Sequence, residues 1–567
     1  MRSLKESWSH FLKTSNRPLR SAKRGNMKNR TRREFLRTMG VAAVGGLIPS
    51  HAGIAQKTGA GRRRPNIVFI ITDDQHLSSF GFLGGEVLTP NIDRLAAEGV
   101  YFSRAYASTS VCTPSRFSCL TGQYASRCRH PNFANDISAE GQTRVTWNTH
   151  ILEGAPNLPK VLQRSGYVTG AVGKWHLGGP NPKQIPLESD PSDSKVARIL
   201  AANQAQLCEH VRKQGFDYAA SIHLQNLKNN PCRALGQHNV EWTVKGALDF
   251  IQRSKDRPFY LYMATTLLHG PDPLVSLKSD PRITEAGLLK EPLKVQPSRQ
   301  SVLDRVRAAG LPERAAPATW LDDGIGTVLR KLDQLGLAEN TVVFYFNDHG
   351  TEGGKGSLYE GGVRTPAIIR WKGLIKPRRC DELVQNIDFA PIILDACGIE
   401  APQDMILDGL SLMPLLTGAK KRLRESLYFE IGHTRAVCTK RWKYLAFRIP
   451  PSEHKSKKER LRMLENYQSR KQKLDALEKS FVPDPDARMT HLGMLPGGVD
   501  TERGNALKRY ARHYYDADQL YDLENDPAEQ NNLALDPAYE QKLGEMKALL
   551  REYLARLPGS FAEFKTK

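Results

Sequence analysis

An α/β fold is the class this 567-residue sequence predicts. The expected form is a large domain with a mostly parallel central sheet flanked by helices, plus a small C-terminal domain with a short antiparallel sheet and a helix. Two observations predict the large domain. Four short apolar runs carry almost no polar residue, as strands covered on both faces do. Helical patterns alternate with those runs, which favours an open sheet with helices packed against it. The length is more than one core holds, so one large and one smaller unit are expected.

Residues 1–64 come first and stand apart. They hold 16 Lys and Arg against Glu6 and Glu34, so much of the net charge of +22 lies in them. Paired Arg32 and Arg33, Phe35-Leu36, an apolar stretch and small residues near Ala52–Ala55 follow in order. That order resembles a twin-arginine export signal, implying a translocase partner and a periplasmic or secreted protein. With the leader set aside, the body is only mildly basic, which removes the charge argument for nucleic-acid binding. No apolar run is long enough to span a bilayer.

From residue 65 the elements alternate. "NIVFIITDDQ" runs through Ile67–Ile71 into Asp73-Asp74. "TPNIDRLAAEGV" reads as a helix, with Thr89 as cap, Pro90 in the first turn and Gly99 as stop. "CTPSRFSCLTG" places Pro114 where a helix begins, leaving Cys112 just outside the helix N-terminus, where backbone amides favour negative charge. "NLPKVLQRSGY" is a second helix, ending at Gly166. "YVTGAVGKWHLG" is a strand running into Lys174 and His176. "PFYLYMATTLLHGP" takes Phe259–Ala264 into His269. After the helix "LDDGIGTVLRKLDQLGL", "TVVFYFNDHG" takes Val342–Phe346 into Asp348-His349, with Lys355 beyond a Gly-rich loop.

Open α/β sheets bind ligands at the carboxyl ends of their strands, so these polar endings are expected to converge. Asp73, Asp74 and Asp348 are hard oxygen donors for Ca²⁺ or Mg²⁺. Lys174, Lys355 and Arg116 are cations for an oxyanion, and His176 and His269 can carry protons. Each also has an ordinary structural role available. The conjunction is the signal. The eight cysteines have no metal-site spacing.

The sequence resembles the formylglycine-dependent sulfatases of the alkaline-phosphatase-like superfamily. "CTPSR" fits the C-x-P-S-R signature of the cysteine-type members and "VGKWHLG" their second motif. "TDDQ", "NDHG", "YEGGVRTPAIIRW", "DGLSLMPLL" and "LYDLENDPAEQNNLA" follow in order. The resemblance covers roughly residues 65–445 and returns at 520–533. It implies a hydrolase of sulfate esters, sulfated carbohydrate among them. In that family the signature cysteine is oxidised by a formylglycine-generating enzyme, here a cytoplasmic one. The hydrated aldehyde attacks sulfur, and its second hydroxyl drives sulfate release without water attacking a crowded anion. Carried over, Cys112 is the formylglycine precursor and nucleophile. Asp73, Asp74, Asp348 and residue 112 bind a divalent cation, Ca²⁺ or alternatively Mg²⁺. Arg116, Lys174 and His176 hold the diol or hemiester, and His269 and Lys355 the sulfate or leaving oxygen. Many relatives carry Asn where His349 stands, so His349 either binds the metal through nitrogen or lies behind a water. Two other classes fit the resemblance: a phosphate or phosphonate ester hydrolase, and a sulfated-glycan binding protein that has lost catalysis.

The implied domains are a leader at 1–64, a catalytic domain at 65–420 and a smaller domain at 421–567. "AVCTKRWKYLAF" and "QLYDL" read as strands of the latter, and "AYEQKLGEMKALLREYLARL" as its helix. Between them a charged insertion, residues 450–515, holds Leu461, Leu464, Tyr467, Leu474 and Leu477 at helical spacing. It reads as an exposed helix beside the substrate cleft or as a solvated surface. Cys119 reads as a small buried hydrophobe.

Overall fold

Eight strands build the main sheet of the computed structural model: β1 Asn66–Asp73, β2 Val100–Phe102, β3 Val168–Lys174, β4 Tyr218–His223, β5 Phe259–Leu268, β6 Thr341–Asn347, β7 Ala367–Trp371 and β8 Arg378–Cys380. The structure describes residues 64–230, 232–474, 483–484, 486–497 and 505–566, so the twin-arginine segment lies outside the described residues. The strand order is β8-β2-β7-β6-β1-β5-β3-β4. Only β7 runs against the rest, pairing antiparallel with β6 and β2. β1 lies in the middle, in register with β5 at Ile70↔Met263 and with β6 at Ile70↔Tyr345. All eight of its residues are buried. That explains an apolar run without alternation.

Seven helices flank this sheet: α1 Pro90–Glu98, α2 Cys112–Thr121, α3 Leu158–Arg164, α4 Ser194–Lys213, α5 Val240–Ser254, α6 Ala316–Gln334 and α7 Phe389–Ala396. Thr89 stands at the N-cap of α1, yet its hydroxyl does not cap the helix. It donates to Asp93 and accepts from the Gly81 amide instead. The cap comes from across the chain. The Asp322 carboxylate on α6 accepts from the Asn91 and Ile92 backbone amides. This is the donor satisfaction a helix start requires, delivered non-locally.

The smaller sheet is β9 Leu427–Ile431, β10 Thr434–Cys438, β11 Trp442–Phe447 and β12 Asp518–Asp522, antiparallel in that order. Helices of this part include α8 Lys457–Leu474 in the insertion and α9 Glu540–Ala555, with a short helix at Asn505–Arg509 between them. α9 buries Met546, Leu550 and Leu554 in a cluster with Tyr428, Val437 and Tyr444. β9 was not anticipated from the sequence. Of the insertion, α8 is mostly exposed, with Leu464 buried. The chain after α8 is different: Met489, Leu492, Tyr510 and Tyr514 are buried. Tyr106, Val111, Leu358 and Tyr359 share one apolar cluster with Leu427, Phe429, Leu492 and Tyr510. The eight cysteines are unpaired, and Cys119 is a core residue. Among the described residues no helix is long and apolar enough to cross a membrane.

Candidate active site

The strands that end in polar chemistry are neighbours in the sheet, β6-β1-β5-β3, all parallel, so their carboxyl ends share one edge. β1 delivers Asp73, and the backbone then turns through Asp74 at φ 51. β3 delivers Lys174, and His176 follows at φ 57. Gly173 has φ 87, and a Cβ there would lie 1.7 Å from the Ala264 carbonyl oxygen, so only glycine lets β3 turn Lys174 inward this close to β5. His269 follows β5, and Asp348-His349 follow β6. Cys112 is the first residue of α2 rather than outside it, and Arg116 lies one turn on. Pro114 is compatible, because the first turn of a helix leaves its amides unpaired.

These side chains meet in a buried space. Lys174 Nζ donates to Asp73 Oδ2 at 2.5 Å and to Asn226 Oδ1 at 2.6 Å. Lys355 Nζ donates to both Asp74 oxygens, at 2.8 and 2.6 Å. Arg116 Nη2 is 3.1 Å from Asp348 Oδ2 and 3.8 Å from Asp73 Oδ1. Cys112 Sγ lies 3.6 Å from Asp73 Oδ1 and 3.6 Å from His349 Nε2. His269 Nε2 is 3.5 Å from Asp74 Oδ2. Every expected site residue is here except that His176 has no contact with the carboxylates. Its Nδ1 is buried without a hydrogen-bond partner.

Three carboxylates within one buried cluster need compensation. Burial alone would raise the Asp73 carboxyl, but the nearby Lys174 charge, with His269 and Arg116, holds it well below the usual range. Asp74 is also lowered: against burial, Lys355 and His269 dominate. Asp348 goes the other way. Burial lifts it, with Asp73 and Asp74 adding, against the pull of His349 and Arg116. Its Oδ1 has no hydrogen-bond partner. His349 Nδ1 donates to the Gly350 carbonyl at 2.9 Å. Its Nε2 faces Asp74 Oδ1, 3.2 Å away, and Asp348 Oδ1, 3.7 Å away. Asp73, Asp74, the Asp348 oxygen without a hydrogen-bond partner and His349 are thus gathered where they could hold a hard divalent cation.

Burial also pushes the Cys112 thiol well above its usual range; Lys174 opposes this, while Asp73 and Asp348 add to it. A thiol so placed stays protonated and is a poor nucleophile. Burial, then Lys174 and Arg116, hold His176 well below the usual imidazole value, so it is neutral and able to accept a proton. Burial lowers His269 too, despite Asp74.

Several supporting residues escaped the sequence reading. Asn347 accepts from Thr72 Oγ1 at 3.2 Å and from the Gln75 amide at 2.9 Å, and donates to the His349 carbonyl. It ties the Asp73-Asp74 turn to the Asp348-His349 turn. Ser115 donates to the Asp348 carbonyl, and Asn386 donates to Ser115 Oγ at 3.0 Å. His238 contacts the His269 carbonyl oxygen at 2.8 Å and the Thr266 hydroxyl at 2.8 Å. Asn347, adjacent to Asp348, and Ser115, adjacent to Arg116 within "CTPSR", carried a positional hint. Beside the cluster lies a cavity of 1290 Å³ lined by His76, Leu268, Arg314, Glu352, Arg364 and Arg509, among others. Cys112, Lys174 and Asp348 do not line it. It adjoins the loops that carry Asp74, His269 and Lys355.

Residues 65–399 match the sulfatase family model, and residues 350–458 match the model for the C-terminal part of N-sulphoglucosamine sulphohydrolase. The chain is 31% identical to human arylsulfatase A over 396 residues, covering 65% of this chain and 70% of that one. It is 26% identical to the N-acetylgalactosamine-6-O-sulfatase of Bacteroides thetaiotaomicron over 488 residues, covering 71% and 88%. A protein solved in complex with its substrate D-glucosamine-2-N,6-O-disulfate superposes with a TM-score of 0.54 at 20% identity, covering 87% of this chain and 98% of that one. The chain belongs to the sulfatase family.

Proposed function

We propose that this protein hydrolyses sulfate esters of carbohydrates, with Cys112 converted to Cα-formylglycine and a divalent cation, Ca²⁺ by preference, held by Asp73, Asp74, Asp348 and His349. The observation that carries this reading is the convergence of three carboxylates and three fixed cations on the side chain of residue 112. A protonated thiol has no useful chemistry at that point. The aldehyde hydrate supplies an oxygen nucleophile there, with a second hydroxyl to expel sulfate. The cation supplies Lewis acidity toward that hydrate and a sulfate oxygen.

The side chains of this protein do the rest. Lys174 and Lys355 are held by carboxylates, so their charges are oriented before substrate arrives, the condition under which electrostatic stabilisation is strongest. Neutral His176 accepts the proton whose loss releases sulfate. His269 donates its Nδ1 hydrogen to the Gly270 carbonyl at 2.8 Å, leaving Nε2 to carry a second proton and deliver it to the leaving oxygen. The negative charge of a bound sulfate ester raises its proton affinity, offsetting burial. The cavity of 1290 Å³ beside these loops suits a substrate larger than the sulfate group. Relatives named for N-acetylgalactosamine-6-sulfate support a sulfated sugar. Residues 1–64 act on this reading as a twin-arginine leader to the periplasm, the aldehyde being installed beforehand in the cytoplasm.

The test is mass spectrometry of the tryptic peptide Ala105–Arg116 after thiol alkylation, followed by rates on matched sulfate and phosphate esters. Loss of sulfur at residue 112 with preference for the sulfate ester is expected. An alkylatable thiol in active protein, or preference for the phosphate ester, overturns the proposal.

A further inference from the structure

The chain after α8 ties the charged insertion to the catalytic loop. Lys355 lies in the loop between β6 and β7, and that loop is fastened at both ends. Toward the nucleophile, the Gly356 amide donates to the Ser110 carbonyl at 3.2 Å. Toward the small sheet, the fastening is Tyr359, four residues after Lys355 and fully buried. Tyr510, from the insertion, stacks on Tyr359 with ring centroids 3.7 Å apart and planes 12° apart. His491, also from the insertion, stacks on Tyr359 at 5.8 Å and on Tyr514 at 4.2 Å. Packed against Tyr510 and His491, the Tyr359 ring is held by specific ring contacts as well as by burial. Tyr359 Oη donates to Gln519 Oε1 at 2.8 Å, fixing the ring's far end on β12.

On either side of Lys355 and Tyr359 the loop is closely packed. A Cβ on Gly362 would lie 2.2 Å from the Gly354 carbonyl oxygen, and one on Gly361 would lie 2.4 Å from that of Glu352. The two sides of the loop are packed backbone on backbone, so displacement of Tyr359 is transmitted to the Lys355 side rather than absorbed. Lys355 in turn holds Asp74 through both carboxylate oxygens.

We infer that Tyr510 is a positioning residue: the insertion reaches into the catalytic unit and, through the Tyr510–Tyr359 stack, sets where the Lys355 ammonium stands. The inference rests on the proposed role of Lys355. It gives the insertion a function at the site through Lys355, beyond the place of Arg509 and Tyr510 in the cavity wall.

The experiment is a double-variant cycle in the full chain with residue 112 converted, using kcat on 4-nitrophenyl sulfate and a melting temperature for each protein. Tyr510→Ala is expected to lower kcat about tenfold to 100-fold, the scale of a displacement near 1 Å at a reacting centre. Tyr510→Phe keeps the stack and is expected to stay within about threefold of the parent. In a Lys355→Ala background, Tyr510→Ala is expected to cost little more, because both changes remove the same interaction. If Tyr510→Ala melts below the assay temperature, Tyr510→Leu, which keeps most of the volume, is read the same way. Parent-like kcat in Tyr510→Ala, or effects of Tyr510→Ala and Lys355→Ala that multiply, overturn the inference. A neutral Lys355→Ala overturns the site reading itself, which keeps the two failures distinct.

Discussion

Lys174→Ala is the most demanding single perturbation of this site. The ammonium is 1% exposed, 2.5 Å from Asp73 Oδ2 and 2.6 Å from Asn226 Oδ1. Its loss acts twice. Removing one preorganised charge from a site where negative charge is transferred costs about 10²–10³-fold in kcat, or about 2.7–4 kcal/mol of transition-state stabilisation. Removing one partner of a buried ion pair leaves the other uncompensated, at a cost of about 3–5 kcal/mol in stability. Arg116, 3.8 Å from Asp73 Oδ1, is too distant and too committed to Asp348 to replace it. The assay is steady-state hydrolysis of 4-nitrophenyl sulfate at saturating Ca²⁺, with the formylglycine fraction measured on the same sample and a thermal melt alongside. A kcat within threefold of wild type at equal conversion would refute the role of Lys174 as a fixed cation on the reacting group.

Cys112→Ala is expected to abolish turnover while leaving the melting temperature nearly unchanged, and retained sulfate release would remove residue 112 from the chemistry. Chelation is expected to remove activity and Ca²⁺ to restore it, with a melting temperature that rises as Ca²⁺ is titrated; ligand at about 100 times its Kd adds about 2.7 kcal/mol. Asp348→Asn is expected to shift that titration to higher Ca²⁺, and an unchanged midpoint would exclude Asp348 as a ligand. Burial raises the Asp322 carboxyl to about 7, although the Asn91 and Ile92 amides pull it down. The folded pKa then exceeds the unfolded one, so this group's stabilising contribution is complete below the ordinary carboxylate range and is lost as pH rises toward about 7. Its slope is about 1.4 kcal/mol per pH unit in that window. In Asp322→Asn this slope is expected to vanish from urea melts between pH 5 and 7, and an unchanged slope would assign it elsewhere.

What could be read from the sequence was the chemistry that sits next to its own strand. Asp73-Asp74, Lys174, His269 and Asp348-His349 each directly follow an apolar run, and topology alone sends parallel strands' carboxyl ends to one edge. The helix start at Pro90 was legible, but the hydrogen bonds that satisfy it come from Asp322, about 230 residues away, and no local pattern contains that. Asn226, His238 and Asn386 were invisible for the same reason, since their role is set by tertiary partners. β9 escaped because all five of its residues are buried, Glu430 included, so the alternation that marks a half-exposed strand is absent. The insertion misled through its charged helix. Its working residues, His491, Tyr510 and Tyr514, lie in irregular chain that no periodicity describes.

Cys112 opens a helix whose ten residues are all buried, and its own side chain is 1% exposed. On the proposed reading, a second protein must enclose that side chain to oxidise it, which the folded chain does not permit. Maturation is therefore a race against folding. On the same reading, a chain that folds first keeps its thiol, and the specific activity of a preparation is set by the fraction converted as much as by how fast the enzyme works.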